Sequence, residues 1–162
     1  MFEDLGAVQD RLGRAAPAIE CYSRALALSP KSIKLLVLRG WAYEMLPPPA
    51  LEKAPADFDA ATRLEPDLAE ARASLGYMQA CRRIDTAACP AAQRAVLYGM
   101  GDFLILHNVA RVYGKLSEVV PGRAAGFQDL ALDHLHRAVE YWKRDQTWHL
   151  FHHTFSTAPR SV

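Results

Sequence analysis

The histidines and cysteines are the residues of this 162-residue chain with the clearest potential for chemistry. His149, His152 and His153 lie close together and superficially suggest a metal site. They lack a Glu or Cys at the spacing of a zincin or a zinc finger, and the sequence contains no H-E-x-x-H motif. His134 and His136 are two residues apart on a predicted helix, so they point about 200° apart and cannot share a ligand. We therefore predict that the chain binds no metal.

The remaining candidates for catalysis are equally weak. Cys21, Cys81 and Cys89 are odd in number and lack the dense spacing of a disulfide framework, so we interpret them as small buried side chains in a reducing compartment. A nucleophile paired with a histidine has no support from spacing. Gly99-Met100-Gly101 is too short for a phosphate-binding loop and lies between two predicted helices. The sequence predicts no enzymatic activity and no cofactor.

Charge and hydropathy narrow the possible partners. The formal net charge is +1, from 19 basic and 18 acidic residues that are interspersed along the chain. This balance gives no electrostatic footprint for nucleic acid and no polybasic segment for a membrane surface. The chain opens with Met1-Phe2-Glu3-Asp4 rather than a signal sequence, and no run of 18 uncharged apolar residues follows. We expect a cytoplasmic protein.

The elements that position these side chains form an internal repeat, which is visible in the small residues. Gly6, Gly40, Gly76 and Ala110 recur at spacings of 34, 36 and 34. Downstream of each lie two further small residues seven positions apart, which are the pairs Ala18 and Ala25, Ala54 and Ala61, Ala88 and Ala95, and Ala131 and Ala138. Residues seven apart share one helical face, and small residues there let two helices approach to about 8–10 Å. The pattern therefore predicts stacked helical hairpins.

Larger residues follow the same register. Aromatic residues and prolines recur at fixed positions of the repeat, at Tyr22, Pro30, Tyr43, Phe58 and Pro66 in the first two copies and at Tyr113 in the fourth. At this point the sequence resembles the tetratricopeptide repeat (TPR) family, whose signature combines W-x2-L-G-x2-Y, A-x3-F, A and P over 34 residues. The first two copies match well, and the third and fourth are degenerate, with Met100 and Lys143 where the closing proline would fall.

The resemblance implies an all-α fold, a right-handed superhelical solenoid of about four helix-turn-helix repeats. The predicted repeats cover residues 1–30, 31–66, 67–100 and 101–144. A tail at 145–162 follows, and we expect it to cap the last helix through Trp148, Leu150, Phe151 and Phe155. The predicted helices lie near 2–12, 15–28, 31–46, 50–64, 67–83, 87–99, 102–117 and 124–144, with a long loop at 118–126. Pro17, Pro55 and Pro90 should lie in the first turns of second helices, where proline costs little. Pro30 and Pro66 should open the following first helices.

The same resemblance implies where binding occurs, because first helices of TPR proteins line a concave groove that takes a peptide or a helix. Matching positions give the groove candidates Lys34, Leu38, Trp41, Met45, Ser74, Tyr77, His107, Asn108, Arg111 and Lys115. A buried aromatic anchor such as Trp41 or Tyr77 can contribute about 2 kcal/mol to an interface. His107, Asn108 and Arg111 lie close on one predicted helical surface, where Arg suits a carboxylate or peptide backbone. The alternative for each is a structural contact or a solvated surface.

The sequence thus predicts a protein-interaction scaffold or adaptor with another protein or a peptide as its partner. A chaperone-tail clamp is disfavoured, since the five matching positions are Glu3, Ala7, Leu38, Glu70 and Ser74 and two carry the wrong charge. The alternative hypothesis is a regulatory or sensing segment of a larger bacterial signalling protein, kinase or protease. It is motivated by the last repeat, which is similar to TPR arrays appended to such proteins. A third hypothesis is self-association through the exposed ends of the solenoid.

Overall fold

The computed structural model describes residues 1–47, 50 and 52–156, with side chains described as far as Asp145. Within these ranges the chain forms eight α-helices, one short 3-10 helix and no strand. In chain order the α-helices are α1 (Phe2–Arg11), α2 (Ala15–Leu28), α3 (Ile33–Glu44), α4 (Ala54–Leu64), α5 (Ala69–Cys81), α6 (Asp85–Tyr98), α7 (Phe103–Val119) and α8 (Ala124–Ser156). The predicted all-α solenoid of four TPR-type helical hairpins is confirmed.

Each hairpin is held by the small residues of its first helix. A Cβ at Gly6 would lie 2.5 Å from the Tyr22 ring, and one at Gly40 would lie 2.7 Å from the Phe58 ring. In the third hairpin Gly76 faces the backbone of Ala88 instead, at 3.3 Å. Glycine on the first helix therefore gives the aromatic ring of the second helix room to pack. The small residues seven positions apart on the second helices are also buried or nearly so, with the exception of Ala131.

The turns inside hairpins one and three are equivalent. Gly13 has φ +68° and Arg83, 70 residues later, has φ +61°. In each turn the following amide donates to the carbonyl five residues back, from Arg14 to Gln9 and from Ile84 to Gln79, both at 2.9 Å. The degenerate third copy therefore keeps the turn geometry of the first copy, with arginine in a left-handed conformation that favours glycine.

Several predicted boundaries are corrected by the structure. Pro30 and Pro66 lie in the turns before α3 and α5, which begin at Ile33 and Ala69, so neither proline opens a helix. Ser32 instead caps α3 by accepting a hydrogen bond from the Leu35 amide. Helix α6 begins at Asp85, which places Pro90 inside the helix rather than in its first turn.

The end of the chain differs most from the prediction. The predicted loop at 118–126 is reduced to a 3-10 turn at Pro121–Arg123, and Gly126 lies inside α8. The helix then continues through Ser156, twelve residues beyond the predicted end at 144. The predicted cap residues Trp148, Leu150, Phe151 and Phe155, and the three tail histidines, have side chains outside the described residues.

The core consists of two connected clusters along the solenoid. One is centred on Tyr22 and Phe58 in the first two hairpins, and the other on Val109, Tyr113 and Phe127 in the last two. Helix α7 packs on both helices of the preceding hairpin and on α8. Each hairpin is therefore buried by its neighbours, as expected for a solenoid.

Candidate functional site

The first helices α3, α5 and α7 bring together a cluster that we call the inner cluster, formed by Trp41, Glu44, Tyr77 and Arg111. The Arg111 guanidinium lies 4.3 Å from the centre of the Tyr77 ring and 5.3 Å from that of Trp41. The same group donates a hydrogen bond of 2.5 Å to Oε1 of Glu44. These contacts connect the fourth hairpin to the second across the third, and Arg111 lies 67 positions after Glu44 in the sequence.

Helix α3 fixes two members of the inner cluster. Trp41 contacts the Phe58 ring edge to face, with ring centres 5.7 Å apart, and Phe58 is itself fully buried against Gly40. Glu44 ends the helix one turn after Trp41. Because residues three apart lie on one helical face, the indole and the carboxylate approach Arg111 together.

Arginine is well suited to this position. Its planar guanidinium stacks on aromatic faces while its N–H groups donate in the plane, and the bond to Glu44 uses one of five donors. The Arg111 side chain is 32% exposed and that of Glu44 is 16% exposed. The cluster is therefore partly desolvated, and solvent or a ligand can still reach the guanidinium.

Burial dominates the electrostatics of the cluster. It raises the pKa of Glu44 although Arg111 acts in the opposite direction, and it raises the pKa of the Tyr77 hydroxyl. The neighbouring Cys81 thiol also has a raised pKa, mainly through burial, which keeps it protonated near neutral pH. Burial therefore makes the negative charge of Glu44 costly, and Arg111 offsets part of that cost.

A shallow cavity of about 260 Å³ opens beside the inner cluster. Its lining residues are Tyr77, Arg111, Gly114, Lys115 and Glu118. Lys115 is 31% exposed and donates to Glu118 at 2.7 Å, one turn along α7. The cavity thus combines an aromatic face, two cations and a carboxylate, a set suited to a polar peptide segment.

The other predicted groove residues vary in accessibility. Lys34 is exposed and pairs with Glu3 of α1 at 2.6 Å, and Met45 is 55% exposed. Leu38 and Asn108 are half-buried. None of these four contacts the inner cluster through any described hydrogen bond or ring contact.

Two predicted groove residues, Ser74 and His107, lie outside the inner cluster. Ser74 is 1% exposed, and its hydroxyl donates to the Glu70 carbonyl within α5, so it is buried between helices. His107 faces α8, where it lines a separate apolar groove, although it is only one turn from Arg111. His107 and Arg111 have different neighbours, because Arg111 contacts α3 and α5 whereas His107 lines the groove beside α8. That His107, Asn108 and Arg111 form one binding surface stays a prediction.

Glu44 is the member of the inner cluster that the sequence prediction missed. It carries no motif signal, and only its position one turn after Trp41 links it to the groove. A second missed contact is structural. Arg39 donates to both carboxylate oxygens of the buried Asp57, at 2.8 and 2.7 Å, and to Ser23 at 3.2 Å. The bidentate pair joins the two helices of the second hairpin, and the bond to Ser23 of α2 connects them to the first hairpin.

In the part of the chain with described side chains, no three metal-ligating residues come together. None of the described helices has the length and apolar character that crossing a bilayer requires. The three cysteines are free thiols, each partly buried.

Comparison with known proteins supports the fold. No protein-family model matches the chain, and no curated protein matches its sequence. Three solved structures of the protein MamA, a TPR-like helical protein, are similar to it. One has a TM-score of 0.59 at 19% identity over 91% of this chain and 93% of its own. A second, designated MSR-1 C2, has a TM-score of 0.61 at 19% identity over 89% and 76%, and a third has 0.57 at 20% identity over 88% and 97%. At these identities the likeness concerns the fold alone.

Proposed function

We propose that this protein is a non-enzymatic interaction scaffold that binds a peptide segment of another protein on its inner surface. The observation that carries the proposal is the inner cluster, in which Arg111 stacks on Trp41 and Tyr77 beside an open cavity. Tryptophan, tyrosine and arginine are the residues most enriched among those that dominate binding energy. Their meeting on one partly exposed surface is the chemistry expected of a binding site.

The geometry favours a polar, extended segment as the ligand. The first helices of three hairpins converge at the cluster, so a segment lying across them would contact Trp41, Tyr77 and the cavity in turn. Arg111 supplies in-plane donors for backbone carbonyls or a side-chain oxygen, and Lys115 adds a second cation. Glu44 already occupies one Arg111 donor, so a ligand carboxylate would compete with it for the guanidinium.

The proposal is tested with peptides selected from a random library on the immobilised full chain. Their Kd is then measured by fluorescence anisotropy for the wild type and for Trp41→Ala, Tyr77→Ala and Arg111→Ala. Loss of a central anchor of about 2 kcal/mol corresponds to binding about 30-fold weaker. We expect this loss for Tyr77→Ala and Arg111→Ala, which border the cavity, and a smaller one for Trp41→Ala.

Tyr98→Ala is the matched control. Tyr98 lies on α6, a second helix, and carries the Arg72 guanidinium over its ring at 5.5 Å, so it reproduces the cation–π contact away from the inner surface. We expect this variant to bind as the wild type does. Unchanged affinity in all three cluster variants, with helicity preserved, would show that the inner surface is not the binding site.

A further inference from the structure

The first helix presents an apolar stripe that is largely exposed. Its residues are Met1, Leu5, Val8 and Leu12, with 91%, 47%, 49% and 59% of each exposed. Their spacing of four, three and four residues places them on one face of α1. Four uncovered apolar side chains on one short helix form a larger patch than the single apolar residues scattered over protein surfaces.

The repeat shows what such a stripe does elsewhere in the chain. Adding the 104 residues that separate Gly6 from Ala110 converts the α1 stripe into an equivalent stripe of α7. That stripe consists of Ile105, Val109, Val112 and Leu116, which are 6%, 0%, 0% and 0% exposed. It is buried in the second core cluster, against alanines of α5 and α6. The equivalent helical face therefore packs on the preceding hairpin in α7 and is largely exposed in α1.

The other end of the solenoid presents an apolar groove between α7 and α8, which we call the end groove. It encloses about 330 Å³ and is lined by Phe103, Leu104, His107, Leu135, Ala138, Val139 and Trp142. Most of these side chains are substantially exposed, with Leu104 at 58%, Val139 at 47% and Trp142 at 47%. His107 is the only polar side chain among them.

The end groove is the repeat equivalent of the groove that α7 fills. Its lining residues Phe103 and His107 correspond to Ala69 and Ala73 of α5, 34 positions earlier. Leu135, Ala138 and Val139 of α8 lie 43 positions after their equivalents in α6, which are Ala92, Ala95 and Val96. All five of these earlier residues belong to the cluster that packs on the α7 stripe. Helix α8 continues as one helix through Ser156, so none of the described residues after Trp142 turns back over the end groove.

We infer that the end groove binds the α1 stripe of a second copy of this chain, head to tail. The α1 stripe of one copy takes the place in the end groove that the α7 stripe takes between α5 and α6. The side chains match in kind, since Met1, Leu5, Val8 and Leu12 replace Ile105, Val109, Val112 and Leu116. This contact extends the solenoid from one copy into the next.

The symmetry of this contact is distinctive. It joins two different surfaces, so every added copy leaves one α1 stripe and one end groove unused, and assembly proceeds beyond a dimer. One helix seated in a groove buries less than a standard interface of about 800 Å² per partner, so we expect weak, concentration-dependent association. The inference concerns the ends of the solenoid and is independent of the proposed function of the inner cluster.

Sedimentation equilibrium of the full chain from about 5 to 500 µM tests the inference, a range that covers dissociation constants typical of weak contacts. The weight-average mass should rise above that of the 18.0 kDa chain with concentration and pass that of a dimer. In the head variant, Leu5→Glu with Val8→Glu, and in the tail variant, Leu135→Glu with Val139→Glu, association should weaken at least about tenfold because a charge would be buried in an apolar contact.

Mixing the two variants separates this contact from a symmetric one. The head variant keeps an intact end groove and the tail variant keeps an intact α1 stripe, so the mixture should form a one-to-one dimer and nothing larger. Leu130→Glu is the matched control, since Leu130 is 42% exposed on a different face of α8 and should associate as the wild type does. Leu135 and Leu130 are 39% and 42% exposed, so a charge at either position also disturbs some packing. Circular dichroism is therefore recorded for each variant to verify folding. A wild-type chain that stays monomeric, or a head variant that self-associates as strongly as the wild type, would overturn the inference.

Discussion

The inner cluster makes a quantitative prediction about stability, because Arg111 connects hairpins that are not adjacent. A double-mutant cycle is formed by the wild type and three variants. The variants are Arg111→Ala, Glu44→Gln and the combination of both. The first removes the ion pair and two cation–π contacts together. The second removes only the charge of the carboxylate and leaves an oxygen that still accepts a hydrogen bond. The two single variants are therefore expected to differ in cost.

The magnitudes follow from the contacts. Two partly exposed cation–π contacts contribute about 0.5–1 kcal/mol each. A hydrogen bond to a charged group contributes about 1.5–3 kcal/mol when buried, and the 32% exposure of Arg111 favours the lower end. We therefore expect Arg111→Ala to lower the free energy of unfolding by about 2.5–3.5 kcal/mol. Burial already raises the pKa of Glu44 despite Arg111, so the charged carboxylate is costly and Glu44→Gln should lose only about 0.5–1 kcal/mol.

Urea unfolding followed by circular dichroism measures all four proteins of the cycle, with the m-value checked for constancy. The coupling between positions 44 and 111 should be about 1 kcal/mol. The Lys34–Glu3 pair is the matched control, since it also joins two first helices at 2.6 Å, but Lys34 is 73% exposed and no measurable coupling is expected. Additive effects at 44 and 111, or a larger loss for Glu44→Gln than for Arg111→Ala, would refute this account of the cluster.

Two further predictions concern the packing of the hairpins. Gly40→Ala should lower the free energy of unfolding by about 1–3 kcal/mol, because the new methyl group would lie 2.7 Å from the Phe58 ring. Gly114→Ala, whose Cβ meets nothing within 4 Å, should raise it by about 0.5–1 kcal/mol; equal changes in urea unfolding would contradict both. Burial lowers the pKa of His134, which stacks on Tyr113, from its ordinary 6.5. The contribution of neutral His134 to the stability of the folded state is therefore complete above pH 6.5. It is lost as the pH falls through the folded pKa, because the unfolded chain binds the proton first. His134→Gln should weaken the fall in melting temperature between about pH 7.5 and 5, and an unchanged fall would contradict this reasoning.

The hairpins are the part of the fold that could be predicted from sequence, because close helix packing leaves a local and periodic signal. Where the second helix carries an aromatic residue, as at Tyr22 and Phe58, the first helix carries glycine directly beneath the ring. In the last hairpin Leu135 takes the aromatic position and alanine at 110 replaces glycine. Such pairs remain detectable when the rest of the motif has degenerated.

The contacts of the inner cluster could not be predicted in the same way. Whether Arg111 reaches Glu44 depends on how far the superhelix curves over three hairpins, and curvature sums small rotations that no single repeat encodes. The sequence pattern predicts that Trp41, Tyr77 and Arg111 lie on first helices. It does not predict that their side chains contact one another. The same holds for Arg39 and Asp57, whose types indicate surface residues although Asp57 is only 6% exposed.

The length of α8 was missed for a different reason. The prediction ended the helix where the apolar period ended, at residue 144. Periodicity reports which face of a helix is buried, whereas continuation of a helix needs only residues that do not break it. Residues 145–156 contain no proline and no glycine, so nothing in their sequence stops the helix.

The ends of the solenoid show why the repeat register matters for function as well as for folding. A solenoid needs polar ends to stay monomeric, since each hairpin exposes one face to the next. Here the α1 stripe has apolar residues at all four positions that are buried in α7, although those of α1 are 47–91% exposed. The end groove keeps apolar residues at the positions where α6 receives α7. If these positions served only to be solvated, charged residues would be tolerated at each of them. Apolar residues at both ends, in matching register, are what a head-to-tail contact requires, and they place that contact on residues that the inner cluster does not use.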